Sequence, residues 1–157
     1  MGGIKSMKFE TSLGTLWLDA NEQALTAVSY TEISESKIAN QDILKQAKEE
    51  ILLFLEGQLT IFTVPYEFTY GTAFQQEVWQ ALAQIPYGKT CCYQDIAEQI
   101  QRPKAVRAIG QANRKNPLPI IIPCHRVIGK SGQLTGYSGS SAEGLAIKQQ
   151  LLTIELN

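Results

Sequence analysis

The chain has 157 residues, 44% of them apolar and 18% charged, with a net charge of −1. These values are ordinary for a soluble globular protein of one unit or two small lobes. No apolar run approaches the ~18 residues of a membrane helix. The N-terminus lacks a charged-then-apolar leader pattern. Three cysteines and one histidine make neither a disulfide framework nor a zinc ligand set. A cytoplasmic protein without membrane partners, metal or cofactor is expected. The charge is unevenly spread: residues 1–84 carry 5 Lys/Arg against 11 Asp/Glu, and residues 85–130 carry 8 (Lys89, Arg102, Lys104, Arg107, Arg114, Lys115, Arg126, Lys130) against 2. Such a basic stretch is either a phosphate-binding face or a solvated surface without a partner.

In chain order, Lys8–Thr11 and Thr15–Asp19 flank Gly14 and read as paired strands, and Ala24–Tyr30 as a third. Gln41–Glu56 places Ile43, Leu44, Ala47, Ile51, Leu52 and Leu55 at helical spacing, with Gly57 as its stop. Residues 60–70 read as extended, and a boundary is expected near Tyr70-Gly71. Thr72 and Gln75 form a capping-box pattern. The helix after them presents Phe74, Val78, Leu82 and Ile85 on one face, with Trp79 nearby, and runs to Pro86-Tyr87-Gly88. Tyr93–Ile100 reads as a short helix. Gln101-Arg102-Pro103 reads as a turn that sets Pro103 at the first position of a helix over Lys104–Arg114. In that helix Ala105, Val106, Ala108 and Ile109 are able to face inward, while Arg107 and Arg114 lie elsewhere. Two short helices joined by a tight turn, the second basic and rich in small residues, fit a helix-turn-helix or a generic helical hairpin. Pro119–Pro123 is short, β-branched and closed by prolines, the composition of a buried strand. Gly129–Gly132 reads as a turn and Ala142–Thr153 as a closing helix.

The most informative residues are Pro123-Cys124-His125-Arg126-Val127, where the only histidine stands beside a cysteine. A free cysteine is most often inert packing. The polar pair His125-Arg126 beside it favours a nucleophile with an adjacent base. Together with Ile128, this peptide resembles the active-site signature of the O6-alkylguanine-DNA alkyltransferases, the methylated-DNA–protein-cysteine methyltransferase family. The flanks are also similar: Ile85-Pro86-Tyr87-Gly88-Lys89-Thr90, Tyr93, Ala105-Val106-Arg107-Ala108-Ile109-Gly110, Asn116-Pro117, Gly136-Tyr137-Ser138-Gly139, and Leu151-Leu152 followed by Glu155. The resemblance covers about residues 72–157; the first seventy match in broad pattern only.

The resemblance implies an α/β protein in two parts. Residues 1–71 would form a small ribonuclease-H-like α/β lobe. Residues 72–157 would form a helical, helix-turn-helix (winged-helix-like) lobe that binds DNA and accepts the alkyl group. It implies single-turnover transfer of an alkyl group from O6-alkylguanine, and also O4-alkylthymine, in double-stranded DNA to Cys124, by a monomer without cofactor. His125 would take the thiol proton through a water, and Glu155 would orient His125. Tyr93 would serve the base's N3. Tyr137 would wall the pocket, and Ser138, by backbone or hydroxyl, would hold the guanine oxygen. Gly136 and Gly139 would let that loop approach the base. Arg107 would fill the space of a base flipped out of the stack. Ala105, Ala108 and Gly110 would allow close approach to the minor groove, with Arg114 on the same DNA-binding helix. Asn116 would tie that helix to the active-site strand. Relatives with an N-terminal zinc need Cys or His before residue 91, and this chain has none.

The sequence departs from the family pattern twice. Asn113 stands where several relatives have a pocket methionine, and Ser140-Ser141-Ala142-Glu143 reads as a short insertion after Gly139. Both bear on which alkyl groups fit. A rival reading is a non-catalytic alkyltransferase-like lesion binder, whose members replace the acceptor cysteine that Cys124 retains here. A Cys/His hydrolase is a third reading, but it leaves the basic helix unexplained. Cys91 and Cys92 lack an adjacent imidazole and are assigned to packing.

Overall fold

Residues 6–33, 39–135, 137 and 142–156 are described by a computed structural model. The chain divides into Met1–Thr69 and Tyr70–Asn157. In the first unit β1 (Met7–Thr11), β2 (Gly14–Ala20) and β3 (Leu25–Ser29) form an antiparallel sheet in the order β1-β2-β3. Alternation along β2 buries Leu16, Leu18 and Ala20 on one face. Helix α1 (Gln41–Leu55) packs on the sheet with Ile43, Leu44, Ala47, Ile51 and Phe54 buried. The Asn40 side chain caps α1 by accepting the N–H groups of Asp42 and Ile43. At the other end Gly57 and Gln58 donate back to Phe54 and Leu53, closing the helix where Gly57 was expected to stop it. The segment expected to be extended over 60–70 adds only a bridge from Tyr66 to Leu25.

In the second unit Thr72 and Gln75 complete a reciprocal capping box at the start of α2 (Ala73–Leu82). Just before it, Gly71 has φ +104°, and a Cβ there would lie 2.7 Å from the Trp79 ring. Only glycine meets both conditions. Trp79 is fully buried, and its indole N–H donates to the Ala112 carbonyl at 2.8 Å, tying α2 to a segment 33 residues further on. Helix α2 stops at Leu82 rather than reaching Pro86; tight turns carry Ile85 into the core instead.

The two-residue strand β4 (Cys91–Cys92) runs parallel to β5 (Val127–Ile128). Helix α3 (Tyr93–Gln99) follows β4 directly. Just past its end, the φ of +62° at Gln101 lets Gln101 and Arg102 donate to Glu98 and Ala97. Helix α4 spans Val106–Arg114, so Pro103 lies in the connecting turn and not at the first helical position. Of the four residues expected to face inward, only Ile109 is buried; Ala105 and Val106 are half-buried and Ala108 is exposed. Helix α5 (Ala142–Leu156) runs one turn beyond the expected Thr153, and that turn contains Glu155. No helix among the described residues is long and apolar enough to cross a membrane.

A candidate active site around Cys124

The segment 119–122 is not a strand. Its β-branched residues are buried, but the Ile122 N–H donates to Leu118 O at 2.8 Å, and Ile120 sits at φ +76°. A β-branched residue in this region costs about 1–3 kcal/mol. Burial of the isoleucine side chain returns a similar ~1.5–3 kcal/mol. The reversal aims the Ile122 carbonyl at two donors, Asn116 Nδ2 at 2.9 Å and the Cys124 N–H at 2.7 Å. Pro123, at φ −78° and ψ 62°, makes the tight turn that permits the second bond. Asn116 also accepts the Leu118 N–H at 2.9 Å. Cys124, His125 and Arg126 then form a single turn of 3₁₀ helix.

All three residues of that turn are buried, as is Glu155 on α5. His125 Nε2 lies 2.6 Å from Glu155 Oε2. Arg126 Nε and Nη2 donate to the same carboxylate at 2.8 and 2.9 Å, and Nη1 donates to Ile85 O at 2.6 Å. The Gly88 N–H donates to Glu155 Oε1 at 3.0 Å, from a turn in which Gly88 has φ +78°. Arg126 is therefore a partner of Glu155 and not, as its place in the basic stretch suggests, a phosphate-binding group. A small cavity of about 30 Å³ opens above the turn, lined by Asn113, Arg114, Asn116, Pro119, Cys124 and Tyr137.

Electrostatics follow from this burial. Burial pushes the Cys124 thiol up to about 11, against the opposing effects of the Asn116 side chain and the Lys148 charge. Burial also lowers the His125 pKa; the Glu155 hydrogen bond and charge oppose this, and the charges of Arg126 and Lys148 reinforce it. Glu155 behaves differently. Burial disfavours its ionised form, but hydrogen bonds from His125 and Arg126, the His125 charge and the Gly88 amide outweigh burial and hold its carboxyl at about 2. An ionised carboxylate only accepts, so His125 Nε2 carries the proton in their bond and Nδ1 is the basic nitrogen.

The structure thus brings Cys124, His125, Glu155, Asn113, Asn116, Arg114 and Tyr137 around one turn. Tyr93 stands at the start of α3, half-buried, with its hydroxyl 2.8 Å from Thr135 Oγ1. A Cβ on Gly110 would meet the Tyr93 ring at 3.9 Å, so α4 passes close to it. Arg107 and Ala108 are exposed on α4, Ala105 and Gly110 half-buried. Lys89, Arg102, Lys104, Arg114, Lys115 and Lys130 are exposed as well. Cys91 and Cys92 form β4, and burial, with Asp95 and Cys92 nearby, raises the Cys91 thiol to about 11. Gly136, Ser138, Gly139, Ser140 and Ser141 lie outside the described residues. Sequence reasoning missed Lys148 altogether. It is fully buried and donates to Val127 O at 2.6 Å and Thr135 O at 2.7 Å. Burial lowers its pKa to about 8, against the charge of Cys124. The available signal was the helical stripe Gly144, Lys148, Leu151, Leu152 and Glu155, the buried face of α5.

A buried cysteine with a base and a carboxylate behind it, beside a helix-turn-helix with an exposed basic surface, defines a nucleophilic site in a small two-lobed protein. Residues 73–157 match the family model of the 6-O-methylguanine DNA methyltransferase DNA binding domain, and residues 4–68 that of its ribonuclease-like domain. The chain belongs to the 6-O-methylguanine DNA methyltransferase family. It is 51% identical over 157 residues to the methylated-DNA–protein-cysteine methyltransferase of Mycobacterium leprae, covering 97% of this chain and 92% of that one. It is 43% identical over 155 residues to the constitutive methyltransferase of Bacillus subtilis, covering 93% and 92%. Its fold is similar to the crystal structure of Mycobacterium tuberculosis OGT in complex with DNA, with a TM-score of 0.84, 40% identity and coverage of 95% and 91%.

Proposed function

We propose that this protein repairs DNA by direct, irreversible transfer of an alkyl group from the O6 position of guanine to Cys124, once per molecule. It is thus a methylated-DNA–protein-cysteine S-methyltransferase. The observation that carries this reading is the turn Cys124–Arg126, which sets a thiol at a cavity wall and buries His125 and Arg126 on Glu155. The resting thiol is protonated, so the reaction needs a base within the site. His125 Nδ1 takes that proton through a bridging water, and Glu155 stabilises the imidazolium that forms. Sulfur attacks the alkyl carbon as the carbon–oxygen bond breaks, and the electron pair leaves on the guanine. Tyr93 gives its hydroxyl proton to the base's N3 as charge develops there. Tyr137 and Asn113 wall the pocket, Ser138 holds the guanine oxygen, and Gly136 and Gly139 let that loop approach the base. Asn116 keeps the Cys124 turn registered to the end of α4.

The target carbon lies inside a duplex, so the base must be extruded. The exposed Lys and Arg residues hold phosphates. Helix α4 enters the minor groove with Ala105, Ala108 and Gly110 giving close approach, and Arg107 occupies the vacated stack. Mass spectrometry after mixing the protein with a duplex containing O6-methylguanine tests the reading. One methyl on the peptide carrying Cys124 is expected. Duplex binding with unchanged mass would establish a lesion binder instead.

A further inference from the structure

Tyr93 is held by a hydroxyl that the reaction as described leaves without a task. Tyr93 Oη lies 2.8 Å from Thr135 Oγ1. Thr135 is itself anchored, because its carbonyl accepts from Lys148 Nζ at 2.7 Å. The same ammonium donates to Val127 O at 2.6 Å, in the strand that follows the Cys124 turn. A fully buried lysine therefore ties the Thr135 backbone to the segment that carries the nucleophile.

A phenol has one proton, and so does the threonine hydroxyl. In the free protein either can donate. Once a base presents N3 to Tyr93, the phenolic proton is committed to that nitrogen. The Thr135 hydroxyl then has to be the donor in the Tyr93–Thr135 bond. We propose that Thr135 is the positioning residue for Tyr93: its Oγ1–H fixes the rotation of the tyrosine and donates to the phenolate that forms during transfer. This inference rests on the alkyl-transfer reading and on Tyr93 as its acid. The step balances. The Cys124 sulfur bonds to the alkyl carbon as the O6–carbon bond breaks, and the thiol proton goes to His125. The Tyr93 proton moves to N3 of the departing guanine, leaving a phenolate that accepts from Thr135. Exchange with solvent afterwards removes the proton from His125 and restores the one on Tyr93. A donor already aimed at the developing charge needs no reorganisation at the moment of reaction.

The test compares single-turnover rates of wild type, Thr135→Val, Thr135→Ser and Tyr93→Phe on two duplexes. One contains O6-methylguanine and the other 3-deaza-O6-methylguanine, which has no N3 to protonate. Removing one such donor is worth about a hundred- to a thousandfold. Thr135→Val is expected to slow transfer by that factor on the normal duplex and by less than about threefold on the 3-deaza duplex. Thr135→Ser, which keeps the hydroxyl, should restore most of the normal rate. Equal losses on both duplexes would assign Thr135 to the fold or the pocket and overturn the proposal. A slow Tyr93→Phe beside an unaffected Thr135→Val would overturn it while leaving the Tyr93 role standing. An unaffected Tyr93→Phe would remove both, and a wild type that transfers nothing would remove the alkyl-transfer reading itself.

Discussion

At a pKa of about 11, roughly one Cys124 thiol in ten thousand is ionised at neutral pH. A mechanism that waits for the thiolate would speed up about tenfold per pH unit through the neutral range. Internal proton transfer to His125 predicts another profile. The pair of neutral thiol and neutral imidazole persists from the lowered His125 pKa up to about 11. The rate should therefore be flat from the ordinary histidine value of 6.5 up to about 8, where the buried Lys148 begins to lose its proton. It should fall as acid protonates His125, since an imidazolium cannot accept the thiol proton. Single-turnover rates from about pH 5 to about pH 9.5 separate the two, and a continuous rise across neutrality would exclude His125 as the base. Glu155→Gln keeps an acceptor for His125 Nε2 but removes the charge that favours the imidazolium. It should slow transfer, and it should also cost about 3–5 kcal/mol of stability because Arg126 is left unpaired in the interior. Asn113 poses the opposite case. Its Oδ1 is buried without a hydrogen-bond partner, and its Nδ2 reaches Cys124 O only at 3.5 Å. Asn113→Met should raise stability by about 1 kcal/mol, read as a higher denaturation midpoint. An unchanged or lower midpoint would mean that the orphan acceptor carries no cost.

At the scale of elements, the parts legible in the sequence were those whose signals are local. Thr72 and Gln75 cap a helix by contacts within three residues, and α1 announces itself by its spacing. The resemblance placed Cys124, His125 and Glu155, which the structure then brings together. The segment 119–122 failed because β-branched composition reports burial rather than extension. Ile120 reverses the chain, and the hydrogen bonds go to Leu118 and Asn116 instead of to a neighbouring strand. Helix α5 hides its importance for a similar reason. Its buried face carries Lys148 and Glu155, and a pattern that counts only apolar residues reads both as solvent-facing. Their partners, Val127 O, Thr135 O, His125, Arg126 and Gly88, come from turns and strands far away in sequence. No local rule would supply them. Gly71 allows a test of how tightly α2 is seated. Gly71→Ala would force an L residue into φ +104° and drive its Cβ against the Trp79 ring at 2.7 Å. A loss of about 2 kcal/mol or more is expected in chemical denaturation. A neutral outcome would mean that the Trp79 ring moves freely.

Over the whole molecule the near-zero net charge conceals a basic stretch and a buried charge cluster that respond to different variables. The exposed Lys and Arg residues respond to salt. Arg107→Ala should reduce the rate on duplex far more than it reduces duplex affinity, with near-normal transfer from free O6-benzylguanine. Equal loss on both substrates would assign Arg107 to the pocket. The buried cluster responds to pH, and the sign follows from the direction of each shift. The Glu155 carboxyl is at about 2 when folded against an ordinary 4.5. Between those values the unfolded chain binds a proton that the folded chain does not, so the stability it contributes is complete above 4.5 and is lost as pH falls toward 2. The shift corresponds to about 3 kcal/mol. His125 acts in the same sense from a higher starting point. Its folded pKa is depressed below 6.5, so acid favours the unfolded chain from there downward. The unfolding free energy should therefore be flat near neutrality, begin to fall below about 6.5 and fall more steeply below about 4.5. Urea titrations across that range measure it. In Glu155→Gln the steeper fall should be absent, since no carboxylate remains there to protonate. If the variant loses stability below about 4.5 as steeply as the wild type, the acid sensitivity belongs to other carboxylates and the cluster is not what holds this lobe together at neutral pH.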